Sequence, residues 1–280
     1  VTLKQKGQII NSDRLEYKKS DIDSSVSYSA IGKVLIRDSL RVATCGMANY
    51  QRSKETTSLE IEPKITENKQ MISGEKIILT YKDEILDNIL IPSKAHVKTP
   101  SSGFEKKVID STEILNSTEF FDDLTGAFLS GFFKNGELDS MRLEGMSTTL
   151  YHIFEDSVYQ GKNETSGDTI IISFKNKETN NIIVIGGAKG SFYPDTISST
   201  IKSPIFYSAS RINYRLSEKE TDLDGYSKIR HDNTELESGY IKVNWKTNLL
   251  NALPQSNIDQ FFKPINPVII ERGKDPMTGI

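Results

Sequence analysis

The sequence predicts an all-β fold built from stacked antiparallel hairpins. Residues 166–190, SGDTIIISFKNKETNNIIVIGGAKG, alternate Ile170, Ile172 and Phe174 with Thr169, Ile171, Ser173 and Lys175. They then pass through the polar stretch KNKETNN, and a second β-branched run at 182–185 ends in two glycines. Period-two alternation puts one set of side chains on each face of a sheet. The same unit recurs along the chain. Anchored on an aromatic residue just before a turn, it appears at Tyr17, Tyr50, Tyr81, Phe133, Phe174, Tyr214 and Trp245, in steps of 33, 31, 52, 41, 40 and 31 residues. Such periods point to a solenoid or an array of supersecondary units. Composition agrees: 36% hydrophobic residues and a mean hydropathy of −0.42 are low for a compact globule of 280 residues. A thin, elongated sheet structure has more surface per residue.

A burial argument explains the repeat. One hairpin has a single apolar face and cannot hide it alone. Hairpins paired edge to edge share one long apolar face. Two positions before each anchor stand Leu15, Ala48, Leu79, Gly131, Ile172, Ile212 and Val243. Four positions before stand Asp13, Gly46, Ile77, Leu129, Ile170, Ser210 and Ile241. The column between them, Glu16, Asn49, Thr80, Phe132, Ser173, Asn213 and Asn244, is mostly polar. One face is therefore apolar and the other mostly wet. The return strands add Val34, Ile36, Ile89, Ile91, Met141, Leu143, Ile183 and Ile185 to the expected apolar face.

In chain order, residues 1–8 read as a short strand or a frayed end, and 9–50 hold the first two copies. Gly32 sits where a bulge or corner is useful. Residues 58–65 and 71–81 read as strands, and 85–91 as a return strand ended by Pro92. Residues 100–123 lengthen one step and read as a surface excursion, or a lid, with a short helix capped by Ser111 or Thr112. The repeats resume at Phe128 and run to Ala252, so the expected organisation is one array over 1–252. Pro254, Pro264, Pro267 and Pro276 then make 253–280 an irregular tail or the start of a further repeat. Both ends read as cuts in a longer, exported protein.

The formal net charge of −3, with no basic cluster, excludes a general attraction for nucleic acid. One cysteine, Cys45, excludes an internal disulfide framework and reads as a small strand residue. No apolar run is long enough to span a bilayer as a helix. His96, His152 and His231 lie in different repeats without ligand spacing, so neither a metal site nor a cofactor is expected. GGAKGSFYPDT lacks the spacing of a phosphate loop, and the serines lack a nucleophile-elbow context. The carboxylates cluster in turns, and nothing picks out a catalytic pair. Asn116 and Asn163 stand in short glycosylation-like triplets. The chain is read as a non-enzyme.

SDRLEYKKSDIDSSVSYSAIGKVLIRD resembles the unit of the OstA-like (LptA-type) family of lipopolysaccharide-transport proteins: a strand with a near-terminal Tyr, a polar gap, then A-x-G-x-V-x-I. SASRINYRLSEKETDLDGYSKI repeats the pattern, with Gly225 and Ile229 in the matching places. LTGAFLSGFFKNGELDSMRLEGM and the segment from Ser166 to Pro194 are similar to larger soluble members and to the soluble N-terminal region of the outer-membrane translocon. The resemblance covers roughly 7–252. It implies a β-jelly roll, or β-taco, of two antiparallel sheets open along one side. Acyl chains of lipid A would lie between the sheets, with the sugar head in water. It implies a periplasmic location, a part in outer-membrane biogenesis, and end-to-end stacking with other jelly-roll modules by edge-strand pairing. The expected groove is lined by Leu15, Tyr17, Val34, Ile36, Ala48, Tyr50, Ile77, Leu79, Tyr81, Ile89, Ile91, Leu129, Phe133, Met141, Leu143, Ile170, Ile172, Phe174, Ile183, Ile185, Ile212, Tyr214, Ile241, Val243 and Trp245. The departures are the 100–123 stretch and the acidic Asp13 in an inward column. Two rivals stand beside this reading: a structural β-solenoid or adhesin-type stalk with a filled core, and a carbohydrate-active solenoid enzyme.

Overall fold

Strands make up nearly all of the regular structure, and the jelly-roll arrangement follows from how a few long strands bend. The computed structural model describes residues 1–5, 8–19, 26–247, 249–254 and 266–279. The chain divides into two compact units: unit 1 takes Val1–Thr99 and Asp123–Gly145, and unit 2 takes Pro100–Asp122 and Met146–Ile280. The first ten strands are β1 (Thr2–Gln5), β2 (Gln8–Asn11), β3 (Arg14–Lys19), β4 (Val26–Arg37), β5 (Arg41–Gln51), β6 (Thr56–Glu60), β7 (Lys64–Glu67), β8 (Gln70–Ser73), β9 (Lys76–Lys82) and β10 (Ile85–Ile91). Three strands that contribute to both units, β11 (Ala95–Ile109), β12 (Thr112–Gly126) and β14 (Glu137–Glu155), stand with β13 (Phe128–Lys134) between them. Then follow β15 (Val158–Lys175), β16 (Glu178–Pro194), β17 (Ile205–Arg215), β18 (Glu220–His231), β19 (Thr234–Asn244), β20 (Leu249–Leu253), β21 (Val268–Glu271) and β22 (Met277–Thr278).

In unit 1, β4 and β5 each serve two sheets. Their shared ladder shifts register between Ile31 and Val34. On one side of that corner, β4 pairs with β3 and β5 with β6, and the sheet continues through β9, β10, β13 and the start of β14. On the other side, β4 pairs with β2 and β5 with β7, and the second sheet takes in β1, β8 and the start of β11. Unit 2 repeats the device in its long ladders. Register shifts fall between Ser166 and Thr169, Ile185 and Ala188, Ser208 and Arg211, and Asp224 and Ser227. All these pairings are antiparallel.

The corners are marked by glycine. Gly32 has φ +78 and Gly186 φ +81, a region that favours glycine. A Cβ at either would collide with a neighbouring aspartate, Asp13 at the bend between β2 and β3 or Asp168 on β15. Asp13 is therefore an exposed corner residue, its N–H donating to the Gly32 carbonyl at 2.9 Å, and not a member of the inward column.

Among the described residues, six hairpins are closed by two-residue turns with both residues at positive φ: Asn68–Lys69, Asp83–Glu84, Asp110–Ser111, Asn135–Gly136, Asp156–Ser157 and Asn176–Lys177, with φ between +48 and +79. That is type I′ chemistry, whose twist matches the strands it joins. The central turn is thus Asn176–Lys177 alone, and most of KNKETNN is strand. The same chemistry corrects the expectation of a helix after Ser111. Asp110–Ser111 is a hairpin turn, and Thr112–Gly126 is a strand whose Ile114, Thr118 and Phe120 favour that state. In the tail, β21 pairs with β19 and β22 with β21. Pro264 and the rest of 255–265 lie outside the described residues.

Candidate functional site

Direct partners in an antiparallel ladder share a face, so the registers sort the expected groove residues into rows. In unit 1 the row next to the corner runs Leu15, Ala30, Ala48, Leu59 and Ile77. Ile91, Leu129 and Leu143 form one cross-strand set on β10, β13 and β14. The next row outward runs Tyr17, Tyr28, Tyr50, Thr57, Leu79, Ile89, Gly131 and Met141. Tyr81 pairs with Leu86, and Phe133 with Leu138. The second sheet of unit 1 has its own inward row, Ile10, Ile36, Ala43, Ile65, Ile72 and Val97, with Val34 opposite Cys45 beside it.

In unit 2 the corresponding rows are Ile170, Val184, Ile212, Leu223, Ile241 and Ala252, then Ile172, Ile182, Tyr214, Thr221, Val243 and Leu250. Phe174 stands one row further out, opposite Thr179. Ile170, Ile212 and Ile241 are 0% exposed. Complete burial of such a side chain contributes roughly 1.5–3 kcal/mol.

Two expected groove residues are on the wrong face. Ile183 pairs with Ile171 and Asn213, and Ile185 with Thr169 and Arg211, so both belong to the outer face. Ile185 is 39% exposed. Four consecutive β-branched residues carry no parity signal, and the register alone selects Ile182 and Val184 for the interior. A second departure concerns the anchors. Tyr17, Tyr50 and Tyr214 align with Leu79, Ile172 and Val243, two residues before the anchors of their own copies. The corners set the register, and the distance from corner to aromatic varies between copies. Tyr17, at 60% exposure, lies at an edge, since among the described residues β3 pairs only with β4. Trp245, 39% exposed, donates its indole N–H to Thr221 Oγ1 at 2.8 Å.

Anchoring on one half of each strand missed the other sheet. Ile65, Ile72, Val97, Phe192 and Tyr207 are buried interior residues of that sheet outside the expected set, and Leu59 and Leu223 are missed members of the anchored rows. The glycine pair Gly186–Gly187 and the alternation beyond it at Ala188, Gly190 and Phe192 are the signal that could have found the second half.

Polar contacts join the two sheets within each unit. In unit 1, Arg41 Nη2 donates to the Gly136 carbonyl at 3.2 Å, its guanidinium lies 5.5 Å from the Phe133 ring, and its Nε reaches Glu67 at 2.7 Å. Tyr81 has hydrogen-bond partners in Thr57 and Gln8, and burial raises its phenol above the ordinary value. In unit 2, Tyr207 Oη donates to Asn163 Oδ1 at 2.6 Å and meets Tyr214 Oη at 2.9 Å; Tyr214 Oη meets Thr165 Oγ1 at 2.9 Å. Asn163, one of the glycosylation-like asparagines, thus has its side-chain amide committed inside the unit.

Burial pushes the Cys45 thiol up to about 11, in keeping with a small interior strand residue. On the outer face of unit 2, Glu220 accepts from Lys242 at 2.9 Å and Arg215 at 2.6 Å, and those hydrogen bonds hold its carboxyl down to about 2. Each histidine has a side-chain partner: His96 with Asp123, His152 with Asp122 and His231 with Ser203. Among the described residues no group of three or more His, Cys, Asp or Glu side chains could hold a metal ion, and no helix is long and apolar enough to cross a membrane.

No family model matches the chain. No curated protein matches it in sequence. Among solved structures it is similar to LptH of Pseudomonas aeruginosa, described as the LptA homologous periplasmic component of the conserved lipopolysaccharide transport device. The identity is 12% and the TM-score 0.42, over 54% of this chain and 94% of that one.

Proposed function

We propose that this chain binds the acyl chains of lipopolysaccharide between the paired sheets of its units and hands the lipid on without making or breaking a bond, as a periplasmic module of outer-membrane biogenesis. The observation that carries this is that the two inward rows of unit 1, apolar or aromatic apart from Thr57 and Gly131, run out to Leu15 and Tyr17 on β3, where Tyr17 is 60% exposed. An apolar interior that reaches solvent at an edge strand offers a chain a way in. Apolar contact is non-directional, so a chain held there can also slide. The edge of β3 that no other described strand covers offers main-chain groups to a neighbouring jelly-roll module.

A second reading, a structural β-solenoid with a filled interior, is favoured by the complete burial of Ile170, Ile212 and Ile241. Native mass spectrometry with added lipopolysaccharide separates the two. Transport requires a mass shift of one lipid that is lost in Ile172→Glu and kept in the outer-face Ile183→Glu, with circular dichroism confirming folded protein. Leu15→Glu, at a half-buried edge position, serves if Ile172→Glu does not fold. No shift at any lipid concentration leaves the filled solenoid.

A further inference from the structure

The four polar groups between the sheets of unit 2 form a closed ring whose direction is determined by their chemistry. An amide oxygen only accepts, so the one proton of Tyr207 goes to Asn163 Oδ1. Asn163 Nδ2 donates to Thr165 Oγ1 at 3.1 Å. With the Tyr207 proton spent, the Tyr207–Tyr214 contact must run from Tyr214 to Tyr207. With the Tyr214 proton spent, Thr165 must donate to Tyr214. Each hydroxyl therefore donates once and accepts once, and such rings strengthen cooperatively.

The ring spans the two sheets through a single atom. Asn163, Thr165 and Tyr207 come from the halves of β15 and β17 on one side of the corner, and Tyr214 from the other side of the Ser208–Arg211 shift. Tyr214 Oη makes both cross-sheet bonds. It also stands in the inward row of Ile172, Ile182 and Val243, so a chain lying along that row meets it. Room for Tyr207 is made by Gly190, its direct partner on β16, where a Cβ would overlap the Tyr207 ring. An apolar quartet of the same shape is often as stable, whereas a polar ring can open and exchange its partners for water.

We propose that this ring is a releasable crossbar: it holds unit 2 closed, and an acyl chain enters along the Ile172 row only when Tyr214 lets go of Thr165 and Tyr207. The proposal rests on the amphiphile reading above and adds its control. A closed state populated in competition with binding lowers apparent affinity by the fraction that is open, so weakening the crossbar raises both affinity and entry rate.

The test uses stopped-flow fluorescence of cis-parinaric acid, a fluorescent fatty acid, with the full chain. In the wild type the association rate should reach a plateau with probe concentration, set by opening. Tyr214→Phe removes both cross-sheet bonds and should raise that plateau and the affinity by about 10-fold. Tyr207→Phe leaves the Thr165–Tyr214 bond and should fall between, and it stands in if Tyr214→Phe does not fold. Ile183→Ala, on the outer face, should leave the plateau unchanged, which separates release of the crossbar from general loosening. Wild-type binding with the same plateau and affinity in both phenylalanine variants overturns the crossbar and leaves the amphiphile reading standing. No binding by wild type or variants overturns that reading, and the crossbar with it.

Discussion

Ile172 pairs directly with Ile182 across the β15–β16 ladder, and this leaves Ile183 on the opposite face, opposite Ile171 and Asn213. Ile172 is 3% exposed and Ile182 6%. The interior of unit 2 is thus selected by register within a run of residues that are chemically alike.

This relationship predicts unequal costs for like substitutions. Ile172→Ala empties a buried position and should destabilise by about 2–5 kcal/mol. Ile183→Ala removes a partly exposed side chain from the outer face and should cost about 1 kcal/mol or less. Urea unfolding of the two variants measures both. Equal losses would mean that the β15–β16 register is wrong.

Alternation was enough to read Ile241 and Val243 as interior, because Lys242 and Asn244 separate the apolar residues there, and Ile172 because Ser173 and Phe174 fix the parity of a run that Ile171 alone would leave open. It failed at 182–185, where no polar residue breaks the parity. The repeat gave the burial motive for Leu79 and Ile212, but it tied the copies together by their aromatics. The physical register is set by the corners, at Gly32 and Gly186 among others, and those lie at variable distances from the aromatics. That is why Asp13 and Gly46, assigned inward, turn out to flank corners, and why Tyr214 shares a row with Ile172. Apart from Val34 and Ile36, the second sheet of each unit was missed for a related reason. A long strand that bends keeps its alternation, but its outer half has no aromatic just before a turn, and only the Gly186–Gly187 pair signals that the chain leaves the first sheet before Phe192. The hairpin at 110–111 hid behind Ser and Thr, which cap helices as readily as they close turns.

Cys45 gives a probe of local opening. Its thiol is buried opposite Val34, and burial raises its pKa to about 11, so at mildly alkaline pH the reactive thiolate is scarce and shielded. Folded protein should react with Ellman's reagent only at the rate of opening, and denatured protein at once. Rapid labelling of folded protein would place Cys45 outside the interior of unit 1.

Glu220 predicts an acid-dependent step. Its carboxyl ordinarily titrates near 4.5 and is held down to about 2, chiefly by the Lys242 and Arg215 hydrogen bonds. A depressed pKa in the folded state means that its stabilising contribution is complete above the unfolded value and is lost as pH falls from about 4.5 through about 2. Thermal melts over that window should show a steeper fall in Tm for the wild type than for Glu220→Gln. Parallel curves would show that Glu220 is not linked to folding.

Gly186 and Gly187 stand side by side at the β16 corner, with φ +81 and +56, and differ in what surrounds them. A Cβ at Gly187 meets nothing within 4 Å, so Gly187→Ala carries only the backbone penalty of a left-handed residue, about 1–2 kcal/mol. A Cβ at Gly186 collides with the Asp168 side chain, so Gly186→Ala carries the same penalty plus the cost of moving that side chain or the corner itself. Gly186→Ala should therefore be the more destabilising of the two in urea, and adding Asp168→Ala, which removes the carboxylate but leaves its Cβ 2.7 Å from the new one, should recover part of the excess and none of the backbone part. A double variant no more stable than Gly186→Ala alone would mean that Asp168 does not pack against this glycine, and that the corner is held by its backbone conformation alone.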